Sequence, residues 1–137
     1  MSIDVRWGAE NHIILTTGFD EVTVKDLADG SAAANALLST VPGNVHDVLD
    51  FRAVTKHPSL PQLIEFRTFF TNPKLGWLII ISNDKIITFF SSMIAGINNN
   101  RIRAFSNPEA AVQFLLDRDE TLPRPLELPT LQRADLK

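Results

Sequence analysis

The stretch Val45 to Leu60, VHDVLDFRAVTKHPSL, begins as an apolar run, becomes charged, and breaks at a proline just where a new helix can start. It reads as a central strand followed by the turn that leaves its carboxyl end. In open sheets with helical crossovers, ligand and partner sites tend to lie beyond such strand ends. Asp50, Arg52, Lys56, His57 and Ser59 are therefore the first candidates for a partner-binding or regulatory site.

Working outward, Ile3, Val5 and Trp7 alternate with Asp4 and Arg6, the period of a half-buried strand, and Gly8 to Asn11 supplies turn chemistry. His12 to Thr17 completes a hairpin. Thr23 with Asp26 three residues later imitates a capping box, and Val24, Leu27, Ala28, Ala34, Leu38 and Val41 recur on one helical face until Pro42-Gly43. After the central strand, Ser59 and Pro61 open a helix patterned by Leu63, Ile64, Phe66, Phe69 and Phe70, closed by Asn72-Pro73. Leu75 to Ile81 is apolar without alternation, as in a strand covered on both faces.

The third helix, from about Lys85 to Ile97, is apolar on two sides. Ile86, Phe90, Met93 and Ile97 form an inward stripe, while Ile87, Phe89 and Ile94 widen it and mark an expected oligomer interface. Asn98 to Asn100 makes a turn, Ile102 to Phe105 a short strand, and Ser106 caps a last helix from Asn107 or Pro108 through Arg118. From Asp119 onward, Pro123, Pro125 and Pro129 alternate with Leu122, Leu126, Leu128, Leu131 and Leu136, the pattern of an extended tail lying against a surface. The expected division is a domain over 1–118 and a tail over 119–137.

Two strands, then helix and strand alternating to a final helix, give ββαβαβαβα: an α/β fold with a mixed, mostly parallel sheet of about five strands and four helices. With VLDFRAVT at the third strand and FSNPEAAVQFLLDRD at the last helix, the chain resembles the STAS-like, or SpoIIAA-like, group of bacterial proteins over residues 1 to about 118. The resemblance implies a small module that binds protein partners, as anti-sigma-factor antagonists do; some members of the wider fold group bind lipids or other apolar ligands. The antagonists carry a phosphorylatable serine in an Asp-Ser-Ser-Gly motif after the central strand. This chain has Lys56-His57-Pro58-Ser59-Leu60 there. Ser59 is the positional counterpart, without the acidic residue, second serine and glycine, and the pattern more closely resembles the branch with a proline-containing turn.

Composition narrows the rest. With 137 residues, 45% hydrophobic and 21% charged, the chain suits one globular domain. A net charge of −3 and no basic stripe argue against nucleic acid. The absence of cysteine removes disulfides, thiolate metal sites and cysteine nucleophiles. MSIDVRWGAENH lacks a signal-peptide pattern, and the longest apolar run, Trp77 to Ile81, is too short to span a bilayer, so a cytoplasmic location without membrane insertion is expected.

His12, His46 and His57 lack the close, same-face spacing of metal ligands. There is no phosphate-cradling loop and no nucleophile elbow, so neither a cofactor nor a catalytic residue is expected. His57 could act as acid or base, but charged residues at a strand end are more often solvated or paired locally, and Ser59 needs only its hydroxyl oxygen to cap a helix. The expectation is a non-enzymatic interaction or regulatory module acting as a homodimer, with itself or a regulatory protein as partner. The alternative is a binder of a small apolar, lipid-like ligand, marked by a cavity lined by Phe69, Phe89 and Phe90.

Overall fold

A computed structural model gives the structure of residues 2–65, 72–94 and 101–128. The elements run β1 (Ile3–Ala9), β2 (Ile13–Glu21), α1 (Val24–Leu38), β3 (Val45–Lys56), α2 (Leu60–Ile64), β4 (Leu75–Ile81), α3 (Lys85–Ile94), β5 (Ile102–Phe105) and α4 (Pro108–Arg118). This is the ββαβαβαβα order expected from the sequence. Phe66, Phe69, Phe70, Gly96, Ile97, Asn98 to Asn100, Pro129, Leu131 and Leu136 lie outside the described residues, as does the side chain of Ile94.

The five strands form one sheet in the order β1-β2-β3-β4-β5, antiparallel between β1 and β2 and parallel thereafter. Because the order advances without reversing, right-handed crossovers deliver α1, α2 and α3 to the same face. Among the described residues the sheet therefore has no topological switch point to open a crevice beyond the strand ends. The helix α4 has no following strand among the described residues to reach, and it closes the opposite face.

On the three-helix face, Leu78, Ile80 and Ile102 of the sheet pack with Leu63, Ile87 and Phe90, while Ile14 and Val45 pack under Ala34 and Leu38 of α1. α1 sits close to β1 because Gly30 has no side chain: a Cβ there would come 3.1 Å from Ile3 Cγ2. Val24 and Ala28, expected on the buried stripe, are exposed; the stripe runs instead through Gly30, Ala34 and Leu38. On the other face, Ile13, Leu15, Val48, Ile79 and Ile81 are covered by Ala111 and Leu115 of α4. Trp77 and Phe114 meet edge to face there, with ring centroids 4.9 Å apart.

Residues after Arg118 belong to this second core. Leu122 and Leu126 are buried in the same cluster as Leu115 and Ile79, so apolar packing extends past 118. They lie on the α4 side of the sheet, not across α3.

Two local expectations change. The cap of α4 is Asn107, whose side-chain oxygen accepts from Ala110 N–H at 2.8 Å, because Pro108 holds the first helical position and leaves residue 107 as the cap. The phase of α3 is also different: Ile87 and Phe90 point inward, 4% and 6% exposed, whereas Ile86, Phe89 and Met93 are 48%, 56% and 43% exposed. Ile87 is a core residue of its own chain, and the outward stripe is Ile86, Phe89 and Met93.

Candidate functional site

The charged end of β3 resolves into separate pairs. Asp50, buried, receives two parallel hydrogen bonds from Arg52, Nε to Oδ1 at 2.9 Å and Nη2 to Oδ2 at 2.8 Å, and the Arg52 backbone N–H adds a third at 3.2 Å. This fork raises the Arg52 guanidinium above its ordinary value, chiefly through the hydrogen bond, and fixes it along its own strand. Lys56 reaches Glu21 at 3.8 Å in an exposed pair of little energetic weight.

His57 turns away from Asp50 and Arg52. Its Nδ1 lies 2.6 Å from the Pro58 carbonyl oxygen and its Nε2 3.2 Å from Asp84 Oδ2. Asp84 opens α3, its Oδ1 accepting from the N–H groups of Ile86 and Ile87 at 2.8 and 3.3 Å. Burial pushes the Asp84 carboxyl up, but those two N–H groups and His57 outweigh it and hold it below its usual value. His57 thus links the turn after β3 to the start of α3. The shallow groove beyond β3 is bordered by Glu21, Lys56, His57 and Gln62, and not by Asp50 or Arg52.

Ser59 sits in a full capping box. Its hydroxyl oxygen accepts from Gln62 N–H at 3.4 Å, and the Gln62 side-chain oxygen accepts from Ser59 N–H at 2.9 Å. The five residues named from the sequence therefore occupy four separate settings, sharing no hydrogen bond or ion pair across them. Among the described residues no group of three histidines or carboxylates could hold a metal ion.

Two residues of the quoted stretch have larger roles than the sequence reading assigned them. His46 lies where the register slips, Val45 pairing with Leu75 but Asp47 with Leu78. Trp77 N–H donates to His46 Nδ1 at 2.9 Å, so the ring proton resides on Nε2, which donates to Asp119 Oδ2 at 2.8 Å. Asp47 faces the three-helix side. It is buried, with Oδ1 accepting from the Thr16 hydroxyl at 3.0 Å. Burial pushes its carboxyl up to about 7, the Thr16 hydrogen bond only partly opposing. The signal in the sequence was an acid flanked at period two by Val45, Leu49 and Phe51.

Asp47 and Thr16 border a cavity of about 70 Å³ between the sheet and α1, α2 and α3. Leu27, Leu49, Phe51, Leu63, Ile80 and Phe90 supply most of its wall. Phe90 is present as expected; Phe89 points outward, and Phe69 lies outside the described residues.

Comparison with solved structures returns a protein of the DUF3478 family with a SpoIIAA-like fold from Shewanella loihica, with a TM-score of 0.60 over 82% of this chain and 91% of that one, at 9% sequence identity. The fold is SpoIIAA-like. The resemblance read from element order and the third strand is thus borne out as architecture. No family model matches the chain, and no curated protein matches it. Among the described residues no helix is long and apolar enough to cross a membrane.

Proposed function

We propose that this SpoIIAA-like chain is a non-enzymatic interaction and regulatory module that works as a homodimer through the outward face of α3. The observation that carries this reading is the stripe Ile86, Phe89 and Met93, three large apolar side chains at i, i+3 and i+7 on a helix whose opposite side already fills the core. A contiguous exposed apolar face of this kind marks association more often than chemistry. Two copies meeting by this face would make an isologous contact in which the same residues serve both partners.

The regulatory part of the reading draws on His57 and Asp84. Their contact couples the turn after β3, where Lys56 and Ser59 are exposed, to the first residues of α3. Asp50 and Arg52 shape the strand that presents that turn. The local pairing of these charges favours positioning over catalysis, and the acidic balance of the chain argues for protein partners and not nucleic acid, in the cytoplasm.

The test is native mass spectrometry and light scattering on the wild type and on Phe89→Asp. Phe89 is exposed, so the substitution spares the core, but a carboxylate would be desolvated in the contact. A wild-type dimer that becomes a folded monomer supports the reading. A wild-type monomer at all accessible concentrations, or a dimer indifferent to the substitution, overturns it.

A further inference from the structure

The cavity between the sheet and the three crossover helices has the composition of a binding site in miniature: an apolar wall and one concentrated polar element. Asp47 projects from the middle of β3 into that wall, and Thr16 from β2 occupies only one of its two carboxyl oxygens. The other, Oδ2, makes no hydrogen bond among the described residues. That oxygen is not fully enclosed by protein atoms and is open to an occupant of the cavity. Packing needs alone would have placed a valine or leucine here, as at Val45 and Leu49 on the same face.

We propose that this cavity binds a compact neutral molecule with an apolar body and a single hydrogen-bond-accepting oxygen, of the small aliphatic ketone or alcohol class, oriented by the Asp47 carboxyl.

The volume sets the size. At about 70 Å³ the space is roughly half of the ~150 Å³ apolar cavity that accommodates benzene, which limits the occupant to fewer heavy atoms than benzene, about three to five. The wall sets the polarity, since Leu27, Leu49, Leu63, Ile80, Ile87 and Phe90 are apolar and, beside Asp47 and Thr16, Ser31 alone among the described lining residues carries a polar side chain. The charge state sets the acceptor. With its carboxyl raised to about 7 by burial, Asp47 holds its proton below neutrality and donates it to the ligand oxygen, while Oδ1 keeps the Thr16 hydroxyl. No other titratable side chain borders the cavity among the described residues, so Asp47 alone governs the pH response. The inference is independent of the association reading: the cavity lies on the inner side of α3 and the apolar stripe on its outer side.

The experiment is a methyl-detected NMR titration of the full chain with 2-butanone and with its oxygen-free counterpart 2-methyl-1-butene, at pH 6 and pH 8. Saturable shifts of the Leu63, Ile80 and Ile87 methyl groups, with 2-butanone bound at least as tightly as the alkene at pH 6 and several-fold more weakly at pH 8, support the proposal. In Asp47→Leu the preference should move about tenfold toward the alkene. Asp47→Asn keeps the shape and an N–H donor, and should retain 2-butanone binding without the pH dependence. Absence of saturable shifts for both probes in the wild type overturns the site. Binding of both probes with a preference unchanged by Asp47→Leu, or with a pH dependence that survives in Asp47→Asn, overturns the role of Asp47.

Discussion

His46 Nε2 lies 2.8 Å from Asp119 Oδ2, joining the central strand to the first residue beyond α4 across 73 positions of sequence. The other ring nitrogen is already committed to Trp77 N–H, so the imidazole bridges a break in the sheet and a helix end at once. Burial works against the Asp119 carboxylate, but the Thr121 hydroxyl, His46 and the Thr121 N–H outweigh it and hold it at about 2. A depressed carboxyl contributes stability above its unfolded value near 4, and that contribution is lost as pH falls toward 2. Asp119→Ala should cost about 1–3 kcal/mol at pH 7, read from the urea midpoint, with the difference from wild type shrinking below pH 4.

Gly76 is where this bridge leaves no room. A Cβ at that position would stand 2.7 Å from His46 Nδ1 and 3.0 Å from its Cε1, while the ring is pinned from both sides. Gly76→Ala should destabilise by about 1–3 kcal/mol, as overpacking does. In His46→Ala the added methyl has space, so Gly76→Ala should be nearly free in that background. A double-mutant cycle measures the coupling.

Asp47 gives the opposite pH response from Asp119. Its folded value of about 7 lies above the ordinary value of 3.8, so its contribution is full below about 4, declines as pH rises through the window from about 4 to 7, and is gone above it. The loss across that window is on the order of 4 kcal/mol. Relative to wild type, Asp47→Asn should gain stability steadily between pH 4 and pH 7.5. A constant difference in urea midpoint across that range would contradict a protonated Asp47.

Leu126→Ala should cost about 2–5 kcal/mol, because the side chain is buried among Leu115, Ile79 and Leu122. A detached tail would tolerate the change with no shift in thermal midpoint.

Ser59→Ala should cost about 0.5–2 kcal/mol through loss of the cap, and Ser59→Asp, which can cap equally well, should be near neutral. Loss of a bound partner on Ser59→Asp without loss of stability would identify the residue as a regulatory site.

The order of elements was legible because period, cap and breaker agreed along most of the chain: Thr23 with Asp26 and Ser59 with Pro61 mark helix starts that the structure realises as capping boxes, the second completed by Gln62. The phase of α3 was not legible, because Ile86-Ile87 and Phe89-Phe90 are apolar in adjacent pairs and leave no polar face to fix the rotation. The role of Asp47 was hidden by proximity to Asp50: three residues apart on a strand, they point to opposite faces, and only the sheet's neighbours decide which acid meets a cavity and which meets Arg52. Leu122 and Leu126 were obscured by the prolines between them, a composition that suggests extension but does not prevent burial.

The one-sided placement of α1, α2 and α3 has a consequence for how the chain comes into being. During synthesis each of these helices emerges beside the strands it covers, so that layer can assemble as translation proceeds. The other face, with Ile13, Leu15, Val48, Ile79 and Ile81, waits for α4, Leu122 and Leu126, all made after the last strand. The nascent protein therefore carries a bare, branched-aliphatic sheet surface until α4, Leu122 and Leu126 have left the ribosome, and that interval is when aggregation and chaperone capture compete most strongly with folding.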